Sequence, residues 1–216
     1  MTDEGLLAEQ IAYYRAIAGE YEDHAIDAPG QSQLVAAFDR FQISGHVLEL
    51  ACGPGHWTRR IVPGATSLTA VDASPEMIAR AQSQLGESPV RFIESDLFHW
   101  QPDRQYDSVF FGFWLSHVPG ARFETFWDLV ASCLHPEGRV FFVDDNHRTD
   151  QELIEGSGSP IVERQLNDGT TYRAIKVPHH SDTLEERLHS LGWNITVAEA
   201  GPFYWGSGAR APSKAA

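Results

Sequence analysis

The chain has 216 residues, of which 42% are hydrophobic, and a formal net charge of −14. This length suits a single domain over residues 1–216 with a sizeable core, while the acidic balance disfavours nucleic acid as a partner. No stretch approaches the roughly 20 apolar residues of a membrane span, and the acidic N-terminus lacks the layout of a signal peptide. We therefore expect a cytoplasmic protein without a membrane partner.

The order of the predicted elements indicates an α/β fold. Residues 1–40 are predicted to form a helical cap, because apolar residues recur there at helical spacing. Five apolar strands follow at 46–51, 67–73, 90–96, 106–113 and 138–145, with helices between most of them. Such alternation predicts a parallel sheet with helices on both faces. Two late strands at 194–200 and 202–208 predict an antiparallel hairpin at one edge.

The segment VLELACGPGHWT (47–58) runs from the first strand into a glycine loop. Gly53 and Gly55 permit backbone angles that other residues resist, and they let a ligand approach the main chain closely. A dinucleotide-binding loop would have a third glycine where this chain has Thr58, and Glu49 is out of place in such a loop. The loop therefore either binds a ligand that has no pyrophosphate or is an ordinary turn.

Two acidic residues follow the next two strands. Asp72 lies about 20 residues beyond the glycine loop, a spacing typical of a carboxylate that binds ribose hydroxyls; alternatively it caps the next helix, for which Ser74 is the better candidate. Asp96 and the amide of Leu97 could bind the edge of an adenine, or Asp96 could cap a turn. Together the loops predict a nucleoside ligand.

Taken in order, VLELACGPG, VDASPEMI, ESDLFHW and YDSVFFGFWLSHVP resemble the motifs of class I S-adenosylmethionine-dependent methyltransferases, over roughly residues 10–206. YYRAIAGEYEDH also resembles an N-terminal segment of small-molecule members, in which a tyrosine closes over the methionine end of the cofactor. The resemblance implies a Rossmann-like, seven-stranded, mostly parallel sheet with an antiparallel last strand. It also implies S-adenosylmethionine as cofactor.

The same resemblance implies two sets of cofactor contacts. Those around the methionine part are Tyr14 (with Tyr21 as the alternative), Glu49, Gly53, Gly55, Gly112 and Phe113. Those around the ribose and adenine are Asp72, Ala73, Met77, Asp96 and Leu97.

His117 follows the fourth strand and should face the site. A histidine there is a candidate base for a hydroxyl acceptor, because its pKa lies near working pH; the alternative is a residue that only shapes the pocket. The NPPY motif typical of methylation on amide and adenine nitrogens is absent.

The fifth strand ends in VDDNHR, which is the most unusual feature of the chain. Adjacent carboxylates repel unless a cation lies near, and magnesium prefers oxygen ligands. Catechol O-methyltransferases hold a metal at this point, so Asp144 and Asp145 are predicted Mg²⁺ ligands, although the acid that such enzymes place after the fourth strand is missing. Asp144 or His147 as a metal-free base or substrate anchor is the alternative, and a polar turn is a third.

Residues 148–180 are predicted to form an insert over the substrate site, with a hairpin signal at 167–169, and residues 207–216 a tail. We predict transfer of a methyl group to a hydroxyl of a small molecule. Aromatic residues near acids suit a phenol or a carbohydrate, and a resemblance to actinobacterial small-molecule methyltransferases favours a sugar or polysaccharide precursor. An N- or C-methyltransferase and a non-catalytic adenosyl-binding protein stay open, as does the choice between monomer and homodimer.

Overall fold

The computed structural model describes residues 3–24, 28–156 and 158–211. Its α-helices are α1 (Asp3–Ala16), α2 (Gln31–Phe41), α3 (Thr58–Ile61), α4 (Pro75–Leu85), α5 (Phe123–Cys133) and α6 (Ser181–Ser190). Its strands are β1 (Gly45–Leu50), β2 (Ala65–Asp72), β3 (Val90–Glu94), β4 (Tyr106–Gly112), β5 (Leu134–Asp145), β6 (Ile161–Gln165), β7 (Thr171–Ile175), β8 (Trp193–Ala200) and β9 (Phe203–Arg210). In the described part of the chain, no helix has the length and apolar character needed to cross a membrane.

Seven strands form one sheet in the order β3-β2-β1-β4-β5-β9-β8. The first five are parallel, and β9 is antiparallel to both β5 and β8. This confirms the predicted sheet and its late hairpin. The strand order reverses direction between β1 and β4, and in such sheets ligands bind beyond the carboxyl ends of the strands at that switch point.

The central strands are apolar on both sides because helices cover both faces of the sheet. Phe110 and Phe111 are neighbours in β4 whose side chains point to opposite faces. Phe111 stacks on Phe142 at 5.2 Å beneath α5, while Phe110 contacts Phe38 of α2 at 5.7 Å. All these rings are buried, and each contributes about 1.5–3 kcal/mol by leaving water. The strand ends are thereby held on a rigid base.

The insert forms a hairpin of its own, as the sequence predicted. Strands β6 and β7 pair antiparallel around a turn in which Gly169 has φ of 90°, a left-handed conformation that suits glycine. The hairpin packs against α1: Arg173 forms an ion pair with Glu9 at 2.6 Å, and the Ile175 amide donates to the Gln10 side chain at 2.9 Å. We call α1 with β6 and β7 the roof.

The predicted tail begins too early. Residues 207–210 belong to β9, because they pair with residues 193–196 of β8. The remainder of that prediction, residues 212–216, lies outside the described residues.

Candidate active site

Two left-handed residues mark the ends of the central strands. Ala51 follows β1 with φ of 53°, and Phe113 follows β4 with φ of 55°. A non-glycine residue with positive φ is uncommon, and such strained positions cluster at functional sites. Both residues line the two cavities described next.

The narrow cavity, of about 100 Å³, lies between α1 and the loops after β1 to β4. It brings together nine of the eleven residues predicted to contact a cofactor. These nine are Tyr14, Gly53, Asp72, Ala73, Met77, Asp96, Leu97, Gly112 and Phe113.

The other two predicted contacts lie elsewhere. Glu49 lines the wide cavity described below. Gly55 lines neither cavity, and a Cβ at its position would come within 3.0 Å of the Ala81 side chain. Gly55 therefore allows the loop to pack closely against α4, and its contact with a cofactor stays a prediction.

Asp72 connects two segments of the narrow cavity. Its Oδ2 accepts a hydrogen bond from the Gly53 amide at 2.7 Å, and its Oδ1 accepts one from the Ser74 amide at 2.8 Å. Burial raises the pKa of Asp72, and these amide bonds oppose that rise. The carboxylate thus fixes the glycine loop, while Ser74 caps α4 by accepting from the Met77 amide, as expected.

Asp96 both lines the narrow cavity and caps a turn. Its Oδ1 accepts from the Phe98 amide at 2.9 Å, and its Oδ2 lies 2.9 Å from His99 Nδ1. The two sequence interpretations of Asp96 are therefore compatible in one geometry.

The wide cavity, of about 460 Å³, lies beside the narrow one under the hairpin. It has the size of a small-molecule site. Basic residues Arg60, Arg164 and Lys176 line it, together with the acidic residues Glu22, Glu49 and Asp145. The two cavities share seven residues, which we call the junction: Tyr14, Tyr21, Ala51, Gly53, Gly112, Phe113 and His117.

His117 is held on both ring nitrogens at the junction. Nδ1 lies 2.6 Å from the carbonyl oxygen of Ile175, and Nε2 lies 2.8 Å from the hydroxyl of Tyr14. A carbonyl oxygen only accepts, so the ring proton resides on Nδ1. In the neutral ring Nε2 must then accept, and the Tyr14 hydroxyl donates to it.

The surroundings keep this ring neutral. Burial lowers the pKa of His117 well below its usual value, and the positive charges of Lys176 and Arg164 lower it further. Because Tyr14 occupies Nε2 and the Ile175 carbonyl occupies Nδ1, His117 has no nitrogen free to take a proton from an acceptor. The geometry therefore argues against the predicted role of His117 as a general base.

The two adjacent carboxylates of β5 share one lysine from the insert as their counter-charge. Lys176 Nζ lies 2.9 Å from Asp145 Oδ2, 3.1 Å from Ser116 Oγ and 3.7 Å from Asp144 Oδ1. Asp144 also accepts from the Ser116 amide and hydroxyl and from the Asp145 amide, each at 2.8 Å. We call Asp144, Asp145, Lys176 and Ser116 the buried ion cluster.

This cluster corrects the predicted magnesium site. The cation that adjacent carboxylates require is the ammonium group of Lys176, and hydrogen bonds engage the oxygens that a metal would need. Within the described ranges, no group of three or more histidine, cysteine or acidic side chains is placed to hold a metal ion. Asp144 is fully buried and lines neither cavity, so it anchors the site from beneath rather than touching an acceptor.

His147 is likewise misassigned as a catalytic residue, because its side chain is exposed and lines neither cavity. Its backbone amide donates to Asp145 at 2.8 Å. The neighbouring Asn146 exchanges two hydrogen bonds with the backbone of His179, at 2.6 and 2.8 Å. The DDNH segment thus ties the insert to the end of β5.

Comparison with known proteins gives a consistent family. A family profile described as a methyltransferase domain matches residues 47–138. Trans-aconitate 2-methyltransferase of Escherichia coli O139:H28 (strain E24377A / ETEC) is 38% identical over 95 residues, which cover 43% of this chain and 36% of that relative. The chain thus aligns with only about a third of the length of the curated relatives it matches.

Two solved structures match along almost the full chain. A DhpI–SAH complex has a TM-score of 0.84 at 43% identity, covering 98% of this chain and 100% of DhpI. A DhpI–SAM–HEP complex has a TM-score of 0.85 at 43% identity, covering 96% and 99%. The fold and the strand-end cavities therefore define an S-adenosylmethionine-dependent methyltransferase. With this identity over the whole length of a relative, the chain belongs to class I of these enzymes.

The described residues fit this cofactor. The narrow cavity offers the carboxylates of Asp72 and Asp96 for hydroxyl and amino groups, beside the apolar side chains of Met77 and Leu97. Oε2 of Glu49 is buried and has no hydrogen-bond partner within the described part of the chain, which suits a cationic amino group nearby. When bound, S-adenosylmethionine would supply a methyl group on a positively charged sulfur, and the junction residues are the ones that both cavities have in common.

We expect cofactor binding to release a proton from Glu49 at pH 7. Burial raises the pKa of Glu49 to about 8, so the free protein holds this carboxyl protonated at neutral pH. An ammonium group beside it stabilises the charged form and lowers that pKa. Calorimetry with S-adenosylhomocysteine in buffers of different ionisation enthalpy should show release of up to one proton at pH 7, vanishing above about pH 9. Glu49→Gln should release none; equal release by both proteins would contradict this assignment.

Proposed function

We propose that the enzyme transfers the methyl group of S-adenosylmethionine to an oxygen atom of a small molecule bound in the wide cavity. The favoured acceptor is an oxygen that already carries negative charge, such as a carboxylate. The single observation that carries this choice is the engagement of both His117 ring nitrogens. A neutral hydroxyl needs a base for its proton, whereas a carboxylate needs none.

The charges near the junction support an anionic acceptor. Lys176 and Arg164 lie close enough to lower the pKa of His117, and Arg164 also opposes the burial that raises the pKa of Tyr14. Positive charge thus acts at the junction, where Asp144 opposes it at Tyr14. Arg164 pairs with Glu152 and Lys176 with Asp145, so both are held in place. The curated relative is named for trans-aconitate, which is a carboxylate.

A hydroxyl acceptor, as in a phenol or a sugar, is the second candidate. It is favoured by the aromatic rings that line the wide cavity, including Tyr13, Trp57 and Phe113. Such rings suit the faces of sugars and phenols.

Radiolabelled methyl transfer from S-adenosylmethionine to matched acceptors tests these candidates. We expect di- and tricarboxylic acids to be methylated, and the product to release methanol in alkali because it is an ester. Arg164→Gln should raise the KM for the acid about tenfold or more, since a charge-assisted hydrogen bond contributes roughly 1.5–3 kcal/mol, without changing the affinity for S-adenosylhomocysteine. Arg91→Gln, which removes an exposed arginine outside both cavities, is the matched control.

An alkali-stable product from a phenol or sugar, with no product from acids, would replace the favoured acceptor by the second one. Methylation of amines or carbon acids alone would instead identify an N- or C-methyltransferase. Tight cofactor binding without transfer to any acceptor would support a non-catalytic adenosyl-binding protein.

A further inference from the structure

Tyr14 and His117 connect the two cavities through one hydrogen bond. Three side chains of the junction carry polar atoms: Tyr14, Tyr21 and His117. Of these, Tyr14 and His117 are bonded to each other at 2.8 Å, with their rings nearly perpendicular at 84°. Because both residues line both cavities, this hydrogen bond lies at the boundary between them.

The direction of the hydrogen bond is fixed by the roof. Because Nδ1 donates its proton to the Ile175 carbonyl, Nε2 accepts a hydrogen bond and the Tyr14 hydroxyl donates it. Gln10 of α1 holds the same arrangement from the other side, since its side chain accepts from the Ile175 amide at 2.9 Å and donates to the His117 carbonyl at 3.4 Å. The opposite tautomer would place a lone pair of Nδ1 against the Ile175 oxygen.

The Tyr14 hydroxyl therefore donates its one hydrogen bond to His117. Burial raises the pKa of Tyr14 well above its usual value, so the phenol stays protonated. Its oxygen has no further proton to donate and keeps lone pairs that can accept. The C–H bonds of a methyl group on a positive sulfur are polarised, and such groups form weak C–H···O hydrogen bonds.

We propose that His117 is a positioning residue that acts through Tyr14, directing the phenolic proton away from the junction so that the Tyr14 oxygen accepts the C–H groups of the methylsulfonium. This assignment depends on the use of S-adenosylmethionine and not on the acceptor. It gives the fixed tautomer of His117 a function that general-base chemistry does not.

The affinity ratio between S-adenosylmethionine and S-adenosylhomocysteine tests the proposal, because only the first carries the methyl group and the positive charge. Calorimetry needs no acceptor, so the result does not depend on the proposed substrate. Tyr14→Phe should lower the preference for S-adenosylmethionine by about threefold to tenfold, the effect of one or two weak hydrogen bonds. His117→Leu should lower it similarly, and the double variant should lose no more than Tyr14→Phe alone.

His117→Gln separates positioning from base catalysis. The glutamine oxygen can accept the Tyr14 hydroxyl where Nε2 does, but an amide is not a base at neutral pH. We expect His117→Gln to recover most of the affinity ratio that His117→Leu loses, and the rate of methyl transfer to follow the ratio. Tyr172→Phe is the matched control, since Tyr172 lies in the same aromatic cluster and lines neither cavity; it should leave the ratio unchanged.

Several results would overturn the proposal. These are additive losses in the double variant, a His117→Gln variant as impaired as His117→Leu, and an unchanged ratio in Tyr14→Phe. If His117→Leu does not fold, Tyr14→Phe and His117→Gln decide the matter alone, because an unaltered ratio in the first or a Tyr14→Phe-like loss in the second contradicts it.

Discussion

Replacing Lys176 by methionine is expected to destabilise the protein by about 3–5 kcal/mol, as found when one partner of a buried ion pair is removed. Lys176 and both carboxylates of the buried ion cluster are almost completely inaccessible to solvent. Burial raises the pKa of Asp144, and Lys176 opposes that rise. Without the ammonium group, two adjacent carboxylates would be buried without the counter-charge that Lys176 supplies.

Urea denaturation followed by circular dichroism measures this loss. Adding Asp145→Asn to Lys176→Met should recover part of the stability, because one of the unpaired charges disappears. Arg91→Met removes an exposed partner of Asp103 and should cost far less, since water and salt screen exposed pairs. A Lys176→Met variant as stable as Arg91→Met would mean that the cluster is not the anchor described above.

Replacing Asp72 by alanine is expected to weaken S-adenosylhomocysteine binding by about 100-fold or more. The carboxylate accepts from the amides of Gly53 and Ser74, and hydrogen bonds to a charged group contribute roughly 1.5–3 kcal/mol each. The substitution would release the glycine loop and remove the acceptor predicted for the ribose. Calorimetry measures the dissociation constant directly.

Asp107→Ala provides a matched control for that experiment. The Asp107 carboxylate also accepts a backbone hydrogen bond, from the His46 amide at 2.7 Å, but it lies in β4 outside both cavities. Asp107→Ala should leave the dissociation constant unchanged. If Asp72→Ala folds and binds S-adenosylhomocysteine as tightly as the unaltered chain, Asp72 is not part of the cofactor site.

The cofactor half of the site could be predicted from the sequence because its residues follow strands. Parallel strands end at the same edge of a sheet, so recognising β1, β2 and β3 was enough to bring Gly53, Asp72 and Asp96 together. The role of Gly55 was harder to predict, because a loop glycine can allow close helix packing as well as contact with a ligand. Spacing alone does not distinguish these two uses.

The acceptor half was less predictable because its contacts connect segments that are distant in the chain. The repulsion between Asp144 and Asp145 did indicate a nearby cation. That cation is Lys176, which lies 31 residues beyond Asp145, just after a strand whose sequence gives no sign of this contact. Its role depends on how the hairpin folds over the sheet. Gln10 is similar: a lone glutamine in a helix carries no signal that it is buried and bonded to Ile175.

The tautomer and the neutrality of the His117 ring are the features of the site that are hardest to predict from the sequence. Its position after β4 was predictable, but its tautomer depends on one carbonyl oxygen of β7, and its neutrality depends on burial and two cations. A histidine in a strand-end loop is compatible with a base as much as with a positioning residue. Only the three-dimensional contacts distinguish the two.

The roof also has a consequence for how the protein is made. Glu9 and Gln10 contact Arg173 and Ile175, more than 160 residues later in the chain. During synthesis α1 leaves the ribosome before β7 but cannot reach its place until β7 has been translated. Contacts of such long sequence separation form slowly. The roof can therefore form only after β7 has been translated, and β8 and β9, which complete the sheet, follow it in the chain.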